Sequence, residues 1–259
     1  MSLQEISLVG LSSLFTVAAP YFLYFRKKMS REKDPAKHSR SRIFKFISYN
    51  LLINSVAYIG FMVTFMSILS KPHVAIQSPY VIILSTLFLI AAAISFYGCG
   101  MYITAVIIET LTPPQFRKVP YLKRQFTVTN LFHGPVSHTL MFSGYIVAFA
   151  LLCILDIVTG PSLSSIPRLF LISGALLGLS VGYAQITNGS APFQTITGIL
   201  SALALIILDR VEGWKFTESP VGIYMIGFIT TFLILNLYYF TFHWKWKNIW
   251  HRSGYREYN

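Results

Sequence analysis

The sequence predicts an all-α integral membrane protein, a bundle of seven transmembrane helices with its N-terminus outside and its C-terminus in the cytoplasm. Three observations predict it. Of the 259 residues, 54% are hydrophobic and only 12% are charged, far from the balance of a soluble globular chain. The apolar residues fall into seven runs, each long enough to cross a hydrocarbon core that takes roughly 20 helical residues. Lys and Arg gather on alternate connections between those runs.

The runs are Ile6–Tyr24, Phe46–Leu69, Tyr80–Thr110, Pro135–Val158, Ile166–Thr187, Ala191–Leu208 and Val221–Phe242. Strands of a membrane barrel would instead alternate in and out over about 10 residues, a pattern absent here. The first run follows MSLQEIS, which has no positive n-region, so it is expected to be an inserted span and not a cleaved signal. Pro20 within it should kink the helix or free a carbonyl. The third run, 31 residues long, is expected to tilt or to protrude from the bilayer. The fourth opens on Pro135, a favourable first helical residue with Gly134 or His133 as its cap. In the fifth, Gly174, Gly178 and Gly182 repeat every four residues and let another backbone approach one helix face. That face suits the bundle interior and an oligomer contact equally. Asn188-Gly189-Ser190 matches a glycosylation sequon, but its short loop faces the cytoplasm in this arrangement, and with Pro192 following it reads as a turn.

Orientation follows from the connections. Arg26–Lys45 holds nine Lys and Arg, residues 111–134 hold Arg117, Lys118, Lys123 and Arg124, and residues 243–259 hold another four. The opposite side holds only Lys71, Arg168, Arg210 and Lys215, a ratio of seventeen to four. The rule that basic residues accumulate inside then fixes the first two loops and the tail in the cytoplasm. The chain forms one domain over residues 1–259, carrying a basic loop at 26–45, a second at 111–134 and a basic aromatic tail at 243–259.

This topology also reinterprets the net charge of +12. In a soluble protein it would suggest nucleic acid; beside apolar spans it marks cytoplasmic faces, and the expected partners are the bilayer and its anionic headgroups, with no nucleic acid. Homo-oligomerisation or a place in a larger membrane complex is compatible with the glycine face. The plasma membrane is the simplest location. Cys99 and Cys153 both lie within apolar runs, which disfavours a structural disulfide or a thiolate zinc site.

Ionisable groups within spans are costly and point to function, and here they are scarce. No Lys, Arg, Asp or Glu sits near the middle of a run, and the seventh has no lysine for a Schiff base. This argues against a carrier relying on a buried carboxylate, a voltage sensor or a retinal protein. The candidate chemistry gathers on the cytoplasmic side. His133 and His138 stand at the mouth of the fourth span, Glu109 at the same end of the third and His243 at that of the seventh. Such a set suits acid–base catalysis or a divalent metal, although a spacing of five across Gly134-Pro135 matches no established ligand pattern. Haem and metal therefore find no strong support, and the cofactor is left unassigned. Arg117, Lys118, Lys123 and Arg124 would hold an anionic headgroup, and Asn50, Asn54 and Tyr97 would line a polar ligand path.

No hydrolase elbow, phosphate loop or paired-carboxylate motif is present. The reading favoured on these grounds is a non-enzymatic bundle: a transport, channel or sensor-like protein, or an accessory subunit of a membrane complex. The alternative is a membrane enzyme working on a lipid or isoprenoid-type substrate through the His133/His138 region. A continuous polar cavity along Asn50, Asn54 and Tyr97 would favour transport, and clustering of Glu109, His133 and His138 would favour the enzyme.

Overall fold

The computed structural model describes residues 3–18, 24, 40–112, 119–160, 167–188 and 191–242. Among them every regular element is helical. Helix α1 (Leu3–Ser13) runs on through a π-turn, Leu14–Ala18; α2 is Arg40–Leu69, α3 Pro79–Leu111 and α4 Pro120–Leu131. A second π-turn, Phe132–Val136, joins α4 to α5 (Ser137–Val158). Then come α6 (Pro167–Asn188), α7 (Ala191–Val211), a 3-10 turn at Phe216–Glu218, and α8 (Pro220–Phe242). Proline opens α3, α4, α6 and α8, where its missing N–H costs nothing because the first turn has no acceptor for it. Left-handed Gly160 (φ 87°) and Gly213 (φ 67°) follow α5 and α7, a conformation that other residues adopt only with strain.

Five helical segments are long and apolar enough to cross a membrane: Pro79–Glu109, Pro120–Val158, Pro167–Ile186, Ala191–Val211 and Pro220–Phe242, with Ser55–Leu69 a shorter apolar helix. Their outward faces carry exposed Ile82, Leu89, Ile94, Leu200, Leu203 and Ile207, side chains suited to lipid and not to water. The chain is thus an all-helical protein with the apolar helices of a polytopic membrane protein. The segment holding Pro20 lies outside the described residues.

Two closely packed helix pairs make up most of the bundle, α3 with α5 and α6 with α8. Glycine sets both distances. A Cβ added at Gly174 would lie 2.0 Å from the Tyr224 carbonyl oxygen, one at Gly178 2.2 Å from that of Phe228, and one at Gly227 2.3 Å from that of Leu171. Gly182 continues the seam against Leu235 and Asn236. In the other pair, Gly98 admits the Met141 backbone and Gly144 admits the backbone of Ala91 and Ser95. Without those Cβ atoms the backbones pack at van der Waals contact over long stretches, which lipid cannot reproduce.

Helix α5 lies at the centre, with Ile146, Phe149, Leu152 and Leu155 fully buried. Around Phe149 the aromatic rings stack. Its centroid is 5.4 Å from Tyr224 (7° between planes) and 5.8 Å from Phe228, which stacks on Phe232 at 5.8 Å. Phe61 meets Phe149 edge-on at 4.9 Å and Tyr145 at 4.5 Å. Helix α1 is tied to this core by polar bonds, Ser7 to Thr64 (2.7 Å) and Ser12 to the Tyr224 hydroxyl (2.5 Å).

A candidate polar site at the basic end

Two ends of the bundle can be told apart by charge. The basic end carries the start of α2, with Arg40, Arg42 and Lys45, and helix α4, with Lys123 and Arg124. Residues 111–134, expected as a loop, contain this helix. It is polar and mostly exposed, inserts Phe126 and Asn130, and continues into α5. Pro135 therefore does not open a helix; it sits inside a continuous one.

The proline explains the π-turn. Proline within a helix in general has no N–H for the carbonyl one α-turn earlier and disfavours a regular α-turn there. The hydroxyl of Ser137 donates to the carbonyl of His133 within the turn, Oγ to O 2.7 Å. The widened turn has a chemical consequence. Residues five apart in an α-helix point about 140° away from each other, whereas in a π-turn they stack on one face. His133 and His138 are such a pair, and their ring centroids lie 6.0 Å apart.

Helix α3 supplies the facing groups. Tyr102 and Glu109, two turns apart, share its inward side. Glu109 Oε2 lies 2.5 Å from His133 Nδ1, with the two side chains 14% and 13% exposed. The Tyr102 ring stands 5.5 Å from His133 and 5.1 Å from His138. His138 is buried, with Phe142 behind it at 5.9 Å, and its backbone carbonyl accepts a bond from Gln194 Nε2 of α7 at 3.0 Å. The site is a carboxylate–imidazole pair at a partly open mouth, with a second imidazole and a phenol behind it. Such a set can bind an anionic or hydrogen-bonding group and can hold or pass a proton. Among the described residues, no three His, Cys, Asp or Glu side chains converge as a metal site.

The other sequence candidates fall elsewhere. Lys123 and Arg124 lie on the exposed surface of α4. Tyr97 is 68% exposed and lines an open groove of about 320 Å³ between α3 and α4, together with Thr104, Ile108, Thr129 and Phe132. At that exposure its side chain lies on the outer surface of α3. Arg117, Lys118, His243 and the side chains of Asn50 and Asn54 lie outside the described residues. Gly174, Gly178 and Gly182 meet α8 of the same chain.

One buried cluster at the far end escaped the sequence reading. Asp156, fully buried near the end of α5, accepts from Lys71 Nζ at 2.6 Å, from Gln4 Nε2 at 3.1 Å and from the Ser219 hydroxyl. Lys71 Nζ also donates to the carbonyl of Gly160 at 2.9 Å, and Ser219 Oγ accepts from the N–H of Gly222 at 3.0 Å. Four segments distant in sequence thus meet on one carboxylate: the start of α1, the α2–α3 connection, the end of α5 and the start of α8. The available signal was the lone Lys71 in its loop and an acid at the same membrane level.

Searches against known protein families, curated proteins and solved structures gave no match, so the site is read from its chemistry alone.

Proposed function

We propose that the chain is a seven-span integral membrane protein, N-terminus outside and C-terminus cytoplasmic, working as a sensor-like or accessory bundle whose functional surface is the cytoplasmic mouth at Glu109, His133, His138 and Tyr102. The observation that carries this reading is the π-turn. It gives up regular helical hydrogen bonding to set two histidines on one face beside a carboxylate, a pattern of local irregularity typical of working sites. The aromatic packing of Phe61, Phe149, Tyr224, Phe228 and Phe232 favours a bundle without a central permeation path. The expected ligand is an anionic headgroup that accepts a hydrogen bond from the His133 ring, with Lys123 and Arg124 on α4 attracting it from the surface.

Native mass spectrometry of gently solubilised protein tests this. Wild-type protein is expected to retain anionic lipid that His133→Ala releases; equal retention by both would remove the site from the reading. The enzymatic alternative, acid–base chemistry on a lipid at this mouth, is favoured by the 2.5 Å Glu109–His133 contact. Lipid extracts of cells producing wild-type protein or Glu109→Gln would differ in a product under that reading and would match under the first.

A further inference from the structure

Helices α7 and α8 touch near their middles and leave a groove between them toward the far end. At Gly198 they are close: a Cβ there would stand 2.7 Å from the Phe232 ring. Beyond that contact lies a groove of about 480 Å³. Ala202, Leu205, Ile206 and Asp209 line it at intervals of one helical turn on α7, and Gly222, Met225, Ile226, Ile229 and Thr230 line it in the same way on α8. Cys153 of α5 and Phe216 of the 3-10 turn also line it. Cys153, Phe216 and Met225 are buried, whereas Ile206 and Ile226 at the rim are exposed. Both helices are long and apolar enough to cross a membrane, so the open side of the groove meets lipid chains.

One end of this apolar groove is polar. Asp209 and Arg210, in the last turn of α7, and Thr217, in the turn before α8, line it there. Arg210 Nε and Asp209 Oδ2 stand 4.0 Å apart, too far for a hydrogen bond, and the side chains are 83% and 46% exposed, so each can take another partner. Residues 209–218 carry three carboxylates, Asp209, Glu212 and Glu218, against Arg210 and Lys215. Lys215 is already paired with Glu218 at 3.1 Å. A purely anionic headgroup is therefore poorly matched here, in contrast to the basic end. A head that joins one negative to one positive group matches Arg210 and Asp209 together.

The volume lies within the range of sites that hold small ligands, and so does the plan, an apolar lining with a few polar groups at one end. A second helix fits the groove less well than a lipid chain. Close helix approach needs small residues, and the glycines of α7 and α8 face inward: Gly198 to Phe232, Gly222 to the Phe216 carbonyl and Gly227 to that of Leu171. The rim is bulky Ile206 and Ile226, between which a chain of methylenes needs no such gap. We propose that the groove binds one acyl chain of a zwitterionic phospholipid of the ethanolamine type. Its phosphate meets the paired N–H groups of Arg210, and its primary ammonium donates to Asp209, a bond that a quaternary ammonium cannot make. The site is separate from the mouth at His133 and selects a different head. It requires that the helices span a bilayer, in either orientation.

Native mass spectrometry of the full chain, stripped of lipid in detergent and titrated with dioleoyl phospholipids, reads the site. The ethanolamine lipid is expected to bind about tenfold more tightly than its choline counterpart. Both are neutral overall, so the anion-binding mouth does not enter the comparison. Asp209→Asn is expected to bring the two lipids level, Arg210→Gln to weaken both, and Ala202→Phe, which fills the groove, to weaken both. Equal binding of the two lipids by the unaltered chain overturns the proposal, as does undiminished binding by Ala202→Phe. A lipid-free dimer that Ala202→Phe dissociates also overturns it, by making a second copy the occupant. Should Ala202→Phe fail to fold, photo-cross-linking of the unaltered chain decides. In phosphatidylcholine vesicles, an ethanolamine phospholipid with a diazirine on one acyl chain is expected to label residues 202–210 and 222–230, with excess unlabelled ethanolamine lipid competing. Labelling spread equally over other outward faces, such as that of Ile82 and Leu89 on α3, overturns the groove.

Discussion

Asp156 shows how much one residue can organise in a bundle otherwise held by apolar contact. Its carboxylate is fully buried, and Lys71, Gln4 and Ser219 satisfy it from three other segments. A buried ion pair is no guarantee of net stability, but removing one partner strands the other charge, typically at a cost of about 3–5 kcal/mol. Asp156→Asn is therefore expected to lower the stability measured by denaturant unfolding in detergent by that amount. Adding Lys71→Met should recover part of the loss. Strictly additive effects of the two changes would mean that Lys71 and Asp156 are not coupled.

Among the elements, the two glycine-lined pairs give opposite expectations for changes of similar size. Gly174→Ala sets a methyl group 2.0 Å from a backbone oxygen that has nowhere to go, so α6 and α8 must separate; a loss of about 1–3 kcal/mol or more is expected from overpacking. Gly100, equally interior to α3, has open space where a methyl group would stand, with nothing within 4 Å, and Gly100→Ala is expected to stabilise by about 0.5–1 kcal/mol through helix propensity. Thermal unfolding of the two variants side by side checks the contrast. The π-turn makes a sharper prediction. Deleting Val136 removes the extra residue and turns α4 by about 100° relative to α5. A Glu109→Cys/His133→Cys pair, expected to cross-link in the otherwise intact chain, should then fail to do so. Persistent cross-linking would show that α4 follows α3 and owes its position to that contact alone.

Over the whole molecule, the stacked rings around Phe149 close the centre between the polar mouth and the far-end cluster. Proteoliposomes are accordingly expected to show ion flux no greater than protein-free vesicles, and Phe149→Ala to lower stability by about 3–5 kcal/mol through the cavity it leaves. A protein-dependent leak in the unaltered chain would place a path where the rings stack. The proposed orientation carries its own check: in a bacterial host, where green fluorescent protein exported unfolded stays dark, a fusion after Asn259 is expected to fluoresce, and a dark fusion would overturn the orientation.

Much of this was legible in the sequence because some physical demands are local. Apolar length defines helices that can cross a membrane, and glycine at four-residue spacing defines a face of close approach, whatever the fold around them. Both were read from Gly174–Gly182 and from the runs themselves. Which backbone fills the glycine seam was not, since Gly227 of α8 and Gly144 of α5 matter only once their partners are chosen. The candidate site was half legible: Glu109, His133 and His138 stood out as ionisable groups at one membrane level. Their spacing, five residues across Gly134-Pro135, matched no established ligand pattern and gave no sign that the groups meet. Only the tertiary structure decided that a proline-driven π-turn would place His133 over His138 and against Glu109, and that Lys71 and Asp156, 85 residues apart, would meet. Such contacts are set by long-range packing, which no local pattern of residues encodes.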